Sequence, residues 1–165
     1  MAIRNIVKEG DDVLRKVCRE VEKFDEKLWS LLDDMAQTMY KAEGVGLAAP
    51  QVGILRRVVV IDVGNGLIEL VNPKIVAAEG EQEGQEGCLS CPGEYGIVVR
   101  PNKVTVEAQN RNGEKIQITG EELLARAFCH ELDHLDGILY KDKATCMLEP
   151  EEQSEPRRKI RLKKK

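Results

Sequence analysis

A chain of 165 residues with 42% apolar side chains has room for one proper core but not two, and no apolar run reaches the length needed to cross a membrane. The net charge of −4 is unevenly spread: four glutamates fall within 149–155, and seven basic residues with no acidic one run from Arg157 onward. Five cysteines, at 18, 88, 91, 129 and 146, are odd in number and scattered, which argues against a disulfide framework and for reduced thiols.

In chain order, residues 1–10 mix Arg4, Lys8 and Glu9 with short apolar pieces and lack the apolar block of a secretory signal, so a cytoplasmic location is expected. Gly10-Asp11-Asp12 ahead of Val13-Leu14 predicts a short capped helical turn. Phe24-Asp25 reads as the staple and N-cap of a longer helix, with Leu28, Leu31, Leu32, Met35 and Met39 as its buried face and Trp29 and Tyr40 flanking it. This helix should end near Glu43-Gly44. The next stretch, Gly44-Val45-Gly46-Leu47-Ala48-Ala49-Pro50-Gln51, lets backbone approach closely and carries one polar side chain that stands out, Gln51. It has neither the ending nor the glycine spacing of a phosphate loop.

Strands are predicted over 57–63, 67–71, 96–100, 104–108 and 115–119, with hairpin turns at Gly64-Asn65-Gly66 and Asn112-Gly113. Between them, 79–87 is a run of Glu, Gln and Gly with little to bury; it predicts a loop leading into Cys88-Leu89-Ser90-Cys91-Pro92-Gly93. Short strands joined by turns and followed by a helix predict an α+β fold. It would be a single domain of mainly antiparallel short strands around a central metal-binding helix, with an N-terminal helix. The domain is expected to span 1–148, with 149–165 as a charged C-terminal tail.

The central helix carries both histidines of the chain, in His130-Glu131-Leu132-Asp133-His134. Residues four apart on a helix stand one turn from each other, so two imidazoles can converge on one ion with the glutamate beside them. Thr119 and Glu122 read as a capping box, Gly137 as the left-handed stop, and Leu123, Leu124, Ala127, Phe128 and Leu135 as an apolar stripe containing His130, Glu131 and His134. Glu122, Arg126, Asp133 and Asp136 fall on the opposite side. A catalytic site of this kind takes three protein ligands and keeps a position for water, so a third ligand is required. Tyr140 stands where a further histidine would complete an extended protease motif. Cys88 is the favoured third ligand and Cys91 its competitor, while Glu149, Glu151 and Glu152 keep open an endopeptidase with a carboxylate ligand. Cys18, Cys129 and Cys146 read as buried or bystander thiols.

Three stretches, Gly44 to Gln51, Glu86-Gly87-Cys88-Leu89-Ser90 and His130 to His134, together resemble the signature motifs of bacterial-type peptide deformylase, in the family's order, over about residues 3–148. The resemblance implies a hydrolase that removes the formyl group from the N-terminal formyl-methionine of new polypeptides, releasing formate. It implies one divalent metal ion on Cys88, His130 and His134, natively Fe(II), with Zn, Ni or Co as alternatives in a purified sample, and leaves Cys91 outside the ligand set. In the implied mechanism, metal-bound water attacks the formyl carbon while Glu131 acts as general base, and Gln51 with the Leu89 backbone N–H stabilises the oxyanion. Gly44, Val45 and Gly46 are expected to pair with an extended N-formyl-methionyl nascent peptide. Val45, Leu123 and Ala127 would surround its methionine side chain, with Arg126 at the rim or in solvent. For the basic tail two readings stand, a contact to ribosomal RNA or a solvated, disordered terminus, and no membrane partner is expected. The non-enzymatic alternative is a zinc-stabilised binding module.

Overall fold

The computed structural model describes residues 2–149. The acidic tail segment beyond Glu149 and the basic run from Arg157 lie outside the described residues. A 3-10 turn at Asp12–Arg15 opens where the Asp11 carboxylate accepts from the Val13 N–H. The first helix, α1 (Glu26–Lys41), starts under Asp25, whose carboxylate accepts from the Leu28 N–H. Its stripe of Leu28, Leu31, Leu32, Met35 and Met39 is buried throughout, each such side chain contributing about 1.5–3 kcal/mol on leaving water.

Among the described residues eight strands follow: β1 (Gly46–Ala48), β2 (Val58–Ile61), β3 (Ile68–Glu79), β4 (Gln82–Cys88), β5 (Cys91–Arg100), β6 (Lys103–Gln109), β7 (Lys115–Glu121) and β8 (Ala144–Met147). The second helix, α2 (Leu123–Leu135), lies between β7 and β8 in the chain. A five-stranded sheet runs in the order β1-β2-β3-β6-β7 and a three-stranded sheet in the order β4-β5-β8, with every ladder antiparallel. The predicted turns are present between β2 and β3 and between β6 and β7, with Gly64, Gly66 and Gly113 all at positive φ.

Alternation along β2 explains how the layers stack. Successive side chains point to opposite faces, so Val58 and Val60 join the α1 stripe in one apolar cluster while Val59 and Ile61 join Ala125, Phe128, Leu132 and Leu135 of α2 in another. The five-stranded sheet is therefore covered on one face by α1 and on the other by α2. The three-stranded sheet meets α2 through bonds from Arg126 and His130 to Glu86 and from Arg126 to the Val98 carbonyl, beside a small apolar cluster of Cys91, Val98 and Tyr140. The α+β architecture is as read from the sequence. Among the described residues, no helix is long and apolar enough to cross a membrane.

Two local expectations are corrected. Residues 79–87 are not a loop: β3 continues to Glu79 and β4 begins at Gln82, pairing with β5 from Gln82↔Arg100 to Glu86↔Gly96. Main-chain pairing forms this edge strand, so it needs no apolar side chains. Nor do Thr119 and Glu122 form a capping box. Thr119 belongs to β7 and shares a hydrogen bond with Thr105, and Glu122 is the N-cap at φ 55° with no side-chain cap bond, because β7 runs almost directly into α2. At the other end the structure follows the sequence. Gly137, at φ 78°, donates to His134 O and Ile138 donates to Asp133 O, the paired bonds of a left-handed helix stop.

Candidate metal centre

α2 is covered by both sheets, so its residues from Ala125 to Leu132, as well as His134 and Leu135, are buried. That burial turns the one-turn spacing of His130 and His134 into a shared interior site with Glu131. From the other sheet, β4 ends at Cys88, whose Sγ lies 3.4 Å from His134 Nε2. One ligand atom each from Cys88, His130 and His134 lies within 4.8 Å of the other two. Bonds of about 2.0–2.3 Å to a common ion at tetrahedral angles would set such donors roughly 3.3–3.6 Å apart. The Cys88–His134 pair already stands at that separation, and a donor set of one sulfur and two imidazoles suits a borderline-soft divalent ion.

The imidazoles are held differently. His130 Nδ1 lies 3.0 Å from Glu86 Oε1, which fixes the ring and directs Nε2 toward the site. Burial alone would raise the Glu86 carboxyl, but hydrogen bonds from Arg100 and His130 outweigh it and hold the acid well below the usual range. Arg100 donates to both Glu86 oxygens, at 2.8 and 2.9 Å, and Arg126 Nη1 donates to Oε2 at 2.6 Å. For His134, burial first, then the nearby His130 and Arg100, push the imidazole well down, favouring the neutral form that ligates metals.

The predicted catalytic residues converge on this centre. Glu131 is buried beside β1, and a Cβ added at Gly46 would collide with its carboxylate, so glycine at 46 is what lets the acid sit there. Gln51 is buried, with Oε1 accepting from the Ala48 N–H at 3.0 Å while Nε2 donates to Ser90 Oγ at 3.1 Å and lies 3.5 Å from Cys88 Sγ. Its amide is therefore oriented with the donor end toward the site. Leu89 occupies the turn between β4 and β5, and a Cβ at Gly44 would come within 2.6 Å of its side chain, so the first and second motifs touch.

The predicted substrate-pocket residues are less tightly gathered. Val45 is half-buried and its carbonyl accepts from the Asp62 N–H, and Ala127 is buried. Leu123 is exposed at 43% and lines a shallow groove with Val63, Asn65 and Leu124, in which neither Val45 nor Ala127 takes part.

Arg126 corrects the expectation of a solvated or rim side chain. It is 7% exposed and donates to Glu86, to the Val98 carbonyl and to Gln82. Glu86, Arg100 and Ser90 were not singled out from the sequence as site residues. Glu86 stood inside a motif, but in a glutamate-rich run where nothing marks one carboxylate as buried. Tyr140, at the position of the missing third histidine, stacks on His130 with centroids 5.9 Å apart and donates its hydroxyl to Glu94 O. Cys91 is buried and is not part of the ligand cluster, while Cys18 and Cys129 are buried and Cys146 is exposed. Glu149 joins no metal-holding group among the described residues, and Glu151 and Glu152 lie outside them.

A family model described as polypeptide deformylase matches residues 3–149. The chain is 59% identical over 164 residues to the peptide deformylase of Acetivibrio thermocellus, covering 99% of this chain and 96% of that protein. It is 57% identical over 155 residues to that of Thermoanaerobacter pseudethanolicus, covering 94% and 98%. The crystal structure of the Thermotoga maritima peptide deformylase superposes with a TM-score of 0.85 at 43% identity, covering 87% of this chain and 98% of that one.

Proposed function

The chain belongs to the polypeptide deformylase family, metal-dependent hydrolases that remove the N-formyl group from nascent peptides, and from that premise we propose how its own residues carry out the reaction. The observation that carries the reading is the convergence of Cys88 Sγ with the two imidazoles beside a buried Glu131. Cys88, His130 and His134 would hold one divalent ion, natively Fe(II), with Zn, Ni or Co able to replace it. Bound there, such an ion supplies Lewis acidity toward the formyl carbonyl and makes water a better nucleophile.

Glu131 takes the proton of the attacking water and later delivers one to the departing amine. Gln51 Nε2 and the Leu89 N–H donate to the formyl oxygen as it becomes negative, and the bond from Ala48 to Gln51 Oε1 keeps the donor end of the amide forward. Among the described residues β1 is an edge strand of the five-stranded sheet, paired with β2 on one side, which supports pairing of an extended peptide along the Gly44–Gly46 backbone. Main-chain pairing tolerates varied downstream sequence. Val45, Leu123 and Ala127 receive the methionine side chain.

We place residues 1–148 as the catalytic domain, acting in the cytoplasm on N-formyl-methionyl nascent chains, and 149–165 as a tail that contacts the ribosome. The test of the enzymatic reading is formate release from a formyl-methionyl peptide with added metal, beside the acetylated peptide. Release from the formyl peptide alone is expected. Cleavage of internal peptide bonds instead would favour the endopeptidase.

A further inference from the structure

Cys91 has no part in the reaction above, yet it lies across the turn from a metal-ligand candidate. Cys88 and Cys91 are paired directly across the β4–β5 ladder, joined by the two-residue turn Leu89-Ser90. Residues opposite one another on an antiparallel ladder have Cα atoms about 4.5–5.5 Å apart and side chains on the same side, within the span of about 4.4–6.8 Å that a disulfide bridges. The register therefore sets the two thiols side by side on one face of the ladder. Their accessibility differs. Cys88 is half-buried, whereas Cys91 is 2% exposed and packed with Val98 and Tyr140. A small oxidant from solvent therefore has the shorter approach to Cys88, with the Cys91 thiol packed behind it against Val98 and Tyr140.

We propose that Cys88 and Cys91 form an oxidative modification site, at which a hydroperoxide oxidises Cys88 and Cys91 resolves the product into a disulfide that withdraws Cys88 from the ligand set. The first step forms an S–O bond on the Cys88 thiolate and breaks the peroxide O–O bond, giving a sulfenic acid and hydroxide. In the second, the Cys91 sulfur attacks the Cys88 sulfur, the S–S bond forms, the S–O bond breaks, and the thiol proton leaves with the hydroxyl as water. Two thiols have lost two electrons and the peroxide has gained them. A sulfenic acid without a neighbouring thiol advances to sulfinic acid, which ordinary thiols do not reverse, whereas a disulfide is restored by a dithiol. With Cys88 tied to Cys91, two imidazoles remain as donors, too few to retain the ion. The withdrawal step rests on the reading of Cys88 as a ligand; the disulfide itself does not.

The test treats the zinc-loaded protein with graded hydrogen peroxide and follows zinc release with a chromogenic chelator while mapping residues 88–91 by mass. The expected product is a peptide lighter by two hydrogens, zinc released in step with it, and both changes reversed by a dithiol and added zinc. In Cys91→Ser and Cys91→Ala, each first checked for full zinc content, Cys88 should instead gain two oxygens and fail to recover. The same map of the wild-type protein needs neither variant to fold. Cys88 sulfinate beside a free Cys91 thiol in the wild-type protein would overturn the site, and a disulfide formed with zinc retained would overturn the withdrawal. Formate release measured before oxidation reads the proposed function separately. A protein inactive in that assay that still forms the reversible disulfide supports this site.

Discussion

Glu131→Gln keeps the shape of the side chain that Gly46 makes room for while removing its capacity to accept a proton. Turnover should fall by about 10²–10⁴-fold with metal content unchanged, read by formate release beside metal analysis; survival within a few-fold would remove Glu131 from the role of base. Gln51→Leu should lower turnover by roughly 10²–10³-fold with a much smaller effect on peptide binding, since the amide is needed most as the oxyanion forms. A defect confined to binding would count against that role. Cys88→Ser should lose most metal affinity and Cys91→Ser should not, because only Cys88 places its sulfur with the imidazoles. Equal losses would make the two cysteines a joint ligand pair. Cys88, His130, Glu131 and His134 stand out as candidates in the sequence because metal chemistry demands rare residue types and both histidines of the chain lie at helical spacing around one glutamate, whereas the role of Gln51 rests on the family resemblance. Glu86 and Arg126 do not stand out. Their burial depends on charges brought together from β4, β5 and α2, at positions 86, 100 and 126, and nothing local to any one of them announces the others.

Elements with chemical punctuation were legible at their ends. Asp25 caps α1 and Gly137 stops α2 because each satisfies backbone groups that any helix terminus leaves open. β4 had no such mark: an edge strand held by its main chain can carry Gln, Glu and Gly without any period. α1 also has a feature its apolar stripe hides, the burial of Asp34 at 6% exposure. Its carboxylate accepts from the Ala2 N–H at 2.7 Å and from Arg4 Nε at 2.9 Å, pinning the N-terminal segment to the helix. Burial alone would raise this acid, but the Ala2 and Arg4 bonds together lower it. A carboxyl lowered in the folded state contributes stability above its unfolded pKa of about 3.9, and that contribution is lost as pH falls through the folded value. Asp34→Asn should therefore cost about 1 kcal/mol near neutral pH, discounted because Arg4 is 32% exposed. The difference from wild type should shrink toward zero in strong acid, as measured by urea unfolding across pH. A gap that stays constant with pH would mean that Asp34 acts through shape rather than charge.

Across the whole molecule, the apolar run Val58-Val59-Val60-Ile61 announced a strand, and its lack of alternation is explained by α1 on one face and α2 on the other. That layering leaves the metal candidates at the junction of α2 with the smaller sheet, while the largest apolar clusters form without them. The charge of the molecule is divided just as unevenly. Outside the described residues, Arg157-Arg158-Lys159-Ile160-Arg161-Leu162-Lys163-Lys164-Lys165 carries seven cations, against a net charge of −4 for the full chain. The remaining 156 residues must then hold a net charge of −11, since −4 less +7 is −11. A net acidic domain is repelled by ribosomal RNA, so the proposed attraction would come from this run. Only Ile160 and Leu162 within it are apolar, which gives it little to bury against its own domain. Contacts from its cations to phosphate would release counterions, and association would fall steeply with salt. Deleting residues 157–165 should therefore abolish co-sedimentation with ribosomes at low salt, while formate release from a short free peptide changes less than about twofold, because that substrate meets only the domain. Co-sedimentation that survives the deletion and ignores salt would leave the tail without this role, and a large loss of free-peptide turnover would make it part of the catalytic fold.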